Sequence, residues 1–275
     1  MIITESFVWI NFPKSASTFV RECLRELYTI PWWKIAKRKR FKRLWMREIK
    51  LPDIWYKDEP LRAPRYTPHG YYRQIPEEYK HLPVYSSVRN SADRFMSLYS
   101  YGHWKKMEAI SRNLSELKNI YPNFPDLNLK EYIEYIEEDR KECFIKIGKY
   151  QYQIGFQSHD LINFFCDEYH IIGKNFCFDD WNDLAAIFKR VKFINCLSIN
   201  NDLYDELEKM GFYSNDISFI KKKQKINTSN KNPNGLEDVN LKRISKNEWL
   251  LDAVTNRFDK LSGNLLHDLV PKSEY

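Results

Sequence analysis

The chain has 275 residues, 43% of them hydrophobic and 16% aromatic, with a formal net charge of +7. That composition supplies a large core, and no stretch reaches the apolar length of a membrane span, which excludes an integral helical membrane protein. No Gly/Ser-rich or Pro-rich linker and no internal repeat divides the sequence, so a single domain over residues 1–275 is expected. Five cysteines (Cys23, Cys143, Cys166, Cys177, Cys196) form an odd set without Cys-x-x-Cys spacing. They point to reduced, buried thiols in a cytoplasmic protein rather than to a disulfide framework or a zinc site. The first predicted strand starts almost at Met1, so neither a leader peptide nor an anchor is expected.

The apolar run Phe7 to Ile10 predicts a strand, and Phe19, Val20, Cys23, Leu24, Leu27 and Tyr28 recur on one face of a helix. Between them lies Pro13-Lys14-Ser15-Ala16-Ser17-Thr18, with Ser17 or Thr18 expected as the helix cap. Free first-turn amides and the helix dipole favour an anion at such a turn. Lys14 adds a mobile charge and the hydroxyls add donors. A nucleoside-triphosphatase loop is disfavoured, because it needs glycines at both ends and closes on Gly-Lys-Ser/Thr.

The run from Lys34 to Lys50 is dense in basic residues and interleaved with Trp32, Trp33, Phe41, Leu44 and Trp45. The spacing of Ile35, Phe41, Leu44, Trp45 and Ile49 favours a helix with a solvated basic face. Nucleic-acid binding and a flap that steers an anionic donor are the alternatives. His69 follows in the turn Tyr66-Thr-Pro-His-Gly-Tyr71.

Val84 to Val88 reads as a second strand, Ser91 as a cap, and Ala92, Phe95, Met96 and Tyr99 as one face of a helix. Arg89 leaves the strand's carboxyl end and Ser97 sits about two turns along the helix, so both can reach one point above the sheet. A guanidinium grips a phosphate dianion bidentately and a hydroxyl adds a directed donor. Arg94 reads as a solvated or salt-bridged helix residue. A parallel sheet would place both anion loops on one edge. Val191 to Leu197 predicts a third strand, with Asn200 or Asn201 as cap, Leu203, Leu207 and Met210 as an apolar stripe, and Gly211 at the helix end. The segment Lys221 to Gly235 is polar and turn-rich. Ser245-Lys-Asn-Glu248 reads as a capping box before Leu250, Leu251, Val254, Phe258 and Leu261.

Pro13-Lys14-Ser15-Ala16-Ser17-Thr18 resembles the 5′-phosphosulfate loop of sulfotransferases that use 3′-phosphoadenosine 5′-phosphosulfate, with Ala16 where that family mostly has glycine. If the position needs a positive φ, alanine carries about 1 kcal/mol of strain. Arg89-Asn90-Ser91-Ala92-Asp93-Arg94-Phe95-Met96-Ser97-Leu98-Tyr99 resembles the family's 3′-phosphate motif, lacking only its proline. The resemblance implies an α/β fold with a parallel sheet flanked by helices, P-loop-like in its loop placement. It implies donor contacts from Lys14, Ser15, Ala16, Ser17, Thr18, Arg89 and Ser97, with Thr228 and Ser229 on a loop over the nucleotide. His69 stands where the uronyl-type carbohydrate branch has a His-Gly-His element, Tyr71 replacing the second histidine, and is the expected base; His103, His159 or a carboxylate are the alternatives. The expected activity is transfer of a sulfuryl group to a hydroxyl or nitrogen of a small acceptor, such as a guanidinium alkaloid, with no metal required. A carbohydrate acceptor is the alternative within the family, and nucleic-acid binding through residues 34–50 the alternative from another class. The oligomeric state is not legible, and no membrane partner is expected.

Overall fold

The computed structural model describes residues 1–29, 45–52, 66–102, 105, 114–139, 143–172, 175–224, 247–257 and 260–270. Most of the basic run (34–44), His103, the Asn227-Thr228-Ser229 element, Ser245 and Phe258 lie outside the described residues. In chain order the described elements are β1 (Ile2–Thr4), β2 (Val8–Ile10), α1 (Ser17–Tyr28), β3 (Met46–Glu48), β4 (Leu51–Pro52), β5 (Tyr66–Thr67) and β6 (Val84–Val88). Next come α2 (Ser91–Tyr101), α3 (Leu114–Ile120), α4 (Leu129–Asp139), β7 (Phe144–Ile147), β8 (Tyr150–Gln153), α5 (Phe156–Phe165), β9 (Ile171–Ile172) and β10 (Asn175–Phe178). The last are α6 (Trp181–Lys189), β11 (Val191–Asn195), α7 (Ile199–Lys209), α8 (Ser214–Lys222), α9 (Trp249–Arg257) and α10 (Gly263–Leu269).

A five-stranded sheet in the order β11-β6-β2-β1-β3 organises the chain. β2, β6 and β11 run parallel, with Val8 opposite Val84 and Val84 opposite Val191. The sheet is nonetheless mixed, which corrects the expectation of a parallel one: β1 folds back on β2 as a hairpin, and β3 pairs antiparallel with β1. The hairpin is locked by Thr4, whose hydroxyl accepts from the Phe7 amide and donates to its carbonyl, each at 3.0 Å. β3 also corrects the helical reading of the basic run over its described end. Arg47 and Glu48 are exposed, while Trp45 and Ile49 pack on the core.

Strand alternation divides the core into two faces. Val8, Ile10, Val84, Val88, Val191 and Phe193 face α5, α6 and α9. Trp9, Tyr85 and Ile194 face the opposite way, against Val20, Leu24 and Leu27 of α1, Leu203 and Leu207 of α7, and Ile217 of α8. Helices therefore cover both faces of the sheet. A second sheet, ordered β8-β7-β10-β9, shares the first apolar cluster through Ile145, Ile147 and Phe176; its strands of two to four residues were not anticipated. Phe95, Met96, Tyr132 and Ile133 form a smaller cluster joining α2 to α4. Among the described residues no helix is long and apolar enough to cross a membrane. None of the five cysteines is paired in a disulfide, and burial pushes the thiols of Cys23 and Cys166 up to about 12.

Several expected caps are corrected. α1 starts after Ala16 and carries no side-chain cap, so neither Ser17 nor Thr18 plays that part. α2 is capped by Asn90, which accepts from the Asp93 amide at 2.8 Å, and not by Ser91. Ser198, rather than Asn200 or Asn201, precedes α7. Gly211 does end that helix, with a φ of 95° and its amide on the Glu208 carbonyl.

Candidate anion site at the carboxyl edge of the sheet

β2 delivers the chain to the carboxyl edge at Ile10, and six residues then turn it into α1. Two of them, Lys14 (φ 63°) and Ala16 (φ 59°), adopt left-handed backbone, which costs a non-glycine residue about 1 kcal/mol each. The condition set for strain at Ala16, a positive φ, is therefore met. Neighbouring strands and helices hold the strained turn. Ser86 Oγ donates to the Ile10 carbonyl at 2.8 Å, and Ser87 Oγ donates to the Ser15 carbonyl. Arg94 Nε donates to the Pro13 carbonyl at 3.1 Å. The Ser15 hydroxyl is fully buried and has no hydrogen-bond partner among the described residues. No acidic residue stands in the first turn of α1, so the helix's positive end is not neutralised from within its own sequence. Lys14 Nζ rests on the face of Tyr101, 3.1 Å from the ring centroid.

β6 brings Arg89 to the same edge, one strand away. Its side chain is about one-quarter exposed and lies 3.9 Å from Asp93. The positive end of α2 is occupied from inside the protein. Asp252 of α9 accepts from the amide and the hydroxyl of Ser91, both at 2.8 Å. Thr255 Oγ1 donates to the Arg89 carbonyl at 3.2 Å. Ser97, on the same helix, is half-buried.

No protein-family model and no curated protein matches this sequence.

His69 lies beside the loop's first residue. Its Nδ1 is 2.7 Å from the Asn11 carbonyl, an oxygen that only accepts, so Nδ1 carries the proton and the neutral ring has its lone pair on Nε2. Asn11 Nδ2 also donates to the Pro68 carbonyl at 2.9 Å, tying the turn to the loop. His159, by contrast, is buried in α5 with its ring 4.7 Å from that of Phe176. Its neighbour Asp160 pairs with Arg94.

Arg94 is the main correction to the sequence reading. It is salt-bridged but not solvated, with 1% of its surface exposed. Beside Pro13 it reaches Gln157 Oε1 at 3.3 Å and Asp160 Oδ2 at 3.2 Å, and its guanidinium lies 4.4 Å over the Phe12 ring. Glu248 is the second. Its carboxyl lies across the start of α5, accepting from the amides of Gln157 and Ser158 at 2.9 and 2.7 Å and from the Ser158 hydroxyl at 2.8 Å. Burial pushes its pKa up to about 7, while those hydrogen bonds and the Arg94 charge pull it down less strongly. Asn11, Ser86, Ser87, Tyr101 and Asp252 also escaped the sequence reading. Among the described residues no group of three or more His, Cys, Asp or Glu side chains is arranged to hold a metal ion.

Proposed function

We propose that the chain is a sulfotransferase that takes a sulfuryl group from 3′-phosphoadenosine 5′-phosphosulfate and transfers it to a small acceptor. The observation that carries the reading is the turn before α1, where two left-handed residues flank a buried serine hydroxyl with no partner among the described residues, beneath an uncapped helix. Helix ends of this kind bind phosphate-like groups. The adjacent parallel strand leads to Arg89 at the same sheet edge, which supports a second phosphate beside the first.

In this reading the first-turn amides, Ser15, Ser17 and Thr18 hold the 5′ end, and Arg89 and Ser97 hold the 3′-phosphate. Thr228 and Ser229 would close over the nucleotide. The acceptor oxygen or nitrogen bonds to sulfur in line as the bond from sulfur to the 5′-phosphate oxygen breaks. His69 Nε2 takes the acceptor's proton, and Lys14, swung from Tyr101, offsets the charge left on the departing oxygen. A hydroxyl or nitrogen of a small metabolite, such as a guanidinium alkaloid, or of a carbohydrate fits this chemistry. The protein is read as cytoplasmic.

Isothermal titration with adenosine 3′,5′-bisphosphate, AMP, ATP and a short oligonucleotide tests the reading. The bisphosphate should bind at least about tenfold more tightly than AMP, on the scale of one charge-assisted phosphate contact, and should raise the melting temperature by mass action. Equal affinities for the bisphosphate and AMP would remove Arg89 and Ser97 from the site. Preference for ATP or for the oligonucleotide would replace the sulfotransferase reading altogether.

A further inference from the structure

The proposed chemistry leaves two buried contacts unexplained, and both end on the loop. A buried guanidinium is costly unless its donors are satisfied and its charge is balanced. Asp160 and Gln157 already serve Arg94 from α5, yet Nε turns to the Pro13 carbonyl. Ser87, fully buried on β6, does the same for the Ser15 carbonyl. A trans peptide is planar, and its C=O and N–H point in opposite directions. Drawing the Pro13 carbonyl inward therefore turns the Lys14 amide outward, and drawing in the Ser15 carbonyl turns the Ala16 amide outward. The two residues whose amides are turned in this way are the two with left-handed backbone.

We infer that Arg94 and Ser87 are positioning residues that aim the Lys14 and Ala16 amides, as a pair, at a tetrahedral oxyanion before α1. The inference rests on the proposed donor site for its nucleotide and on the loop alone for its anion. The inward pull is what holds alternate peptides of the loop in one orientation, so an oxyanion finds its donors already aligned. Neither side chain touches the ligand. Their contribution appears chiefly through the 5′ group: both side chains end on carbonyls of the loop before α1, whereas at the start of α2 the Ser91 amide is taken by Asp252 and Arg94 meets that turn through Gln157, which donates to the Ser91 carbonyl.

Melting temperatures of the wild type, Ser87→Ala, Arg94→Lys and Arg94→Met with rising inorganic sulfate, and titrations of the same proteins with adenosine 3′,5′-bisphosphate, AMP and adenosine 3′-phosphate, provide the test. Sulfate should stabilise the wild type and much less each variant. Affinity for AMP and for the bisphosphate should fall about tenfold in Ser87→Ala and Arg94→Met, and less in Arg94→Lys, while adenosine 3′-phosphate binding should stay within about twofold. Equal losses for the 5′ and 3′ ligands would mark a structural role only and overturn the inference, as would variants that respond to sulfate like the wild type or a wild type that does not respond. Should Arg94→Met fail to fold, Ser87→Ala and Arg94→Lys decide the matter. A wild type that responds to sulfate but binds no bisphosphate would refute the donor reading and leave the amide pair standing if the variants lose the sulfate response.

Discussion

Replacing Glu248 by glutamine should remove a pH dependence that the wild type owes to this single buried group. The folded-state pKa of about 7 lies above the ordinary glutamate value of 4.5, so between those limits the native protein holds a proton that the unfolded chain has released. Stability from this group is complete below about pH 4.5, falls as pH rises through the window, and levels off above about 7. With about 1.4 kcal/mol for each tenfold difference in proton affinity between the folded and unfolded chain, the fall comes to about 3 kcal/mol. Glutamine keeps the size and one acceptor but does not ionise. It faces the Ser158 amide with a nitrogen or an oxygen, at a cost that does not vary with pH. Urea unfolding of both proteins at constant ionic strength, followed by circular dichroism at half-unit steps from pH 4.5 to 8, gives two stability curves. Their difference should move by about 3 kcal/mol in favour of the glutamine variant as pH rises. Curves that run parallel to within about 1 kcal/mol would show that Glu248 is already ionised at pH 4.5, stabilised by Ser158, Gln157 and Arg94 against its burial.

Gly155→Ala places a methyl carbon 2.2 Å from the Glu248 carboxyl carbon, a separation that atoms cannot keep, so the carboxyl must leave the start of α5. The loss of its buried hydrogen bonds should destabilise the fold by roughly 3 kcal/mol, read as a lower urea midpoint with an unchanged slope; a shift under about 1 kcal/mol would mean that the carboxyl relaxes freely. Lys14→Ala should lower turnover about a hundredfold with a smaller loss of donor affinity, measured by transfer from labelled donor. Turnover within a few fold of wild type would reduce Lys14 to a binding residue. His69→Ala should cost about a hundredfold or more in transfer while bisphosphate affinity, by titration, stays unchanged; near-normal transfer would move the base to another residue.

What could be read in advance follows from how local each cause is. Val84 to Val88 and the α2 face were legible because the strand formers Val84, Tyr85 and Val88 within five positions and a 3.6-residue period are local features of the sequence. Caps were misplaced because Asn90 and Ser91 are equally good cappers, and what separates them is Asp252, far along the chain, claiming the Ser91 hydroxyl. For Arg94 the choice between a solvated and a salt-bridged helix residue stayed open because its charge is plain in the sequence while Pro13, Gln157 and Asp160, which bury it and pair with it, are not its neighbours there. β3 escaped because three residues, Met46-Arg47-Glu48, carry too little alternation to outweigh the basic run around them. At the loop, the residue types announced an anion and the glycine-like position of Ala16 raised the question of a positive φ, but Lys14 gave no such sign, and Ser87 and Arg94, which hold the neighbouring carbonyls, come from distant stretches of chain.

The register of the central strands also bears on the order in which the molecule assembles. The β1–β2 hairpin closes within ten residues and carries its own lock at Thr4, whereas β2 waits for β6 and β6 for β11, whose partners come from distant stretches of chain. Contacts of that range form slowly and late. The turn before α1 gains Ser87 and Arg94 only when β6 has docked, so an oxyanion in refolding buffer meets no binding site until that step is over. Such a ligand should slow unfolding without hastening folding, a kinetic signature that would separate a site completed by docking from one present in the isolated hairpin and helix.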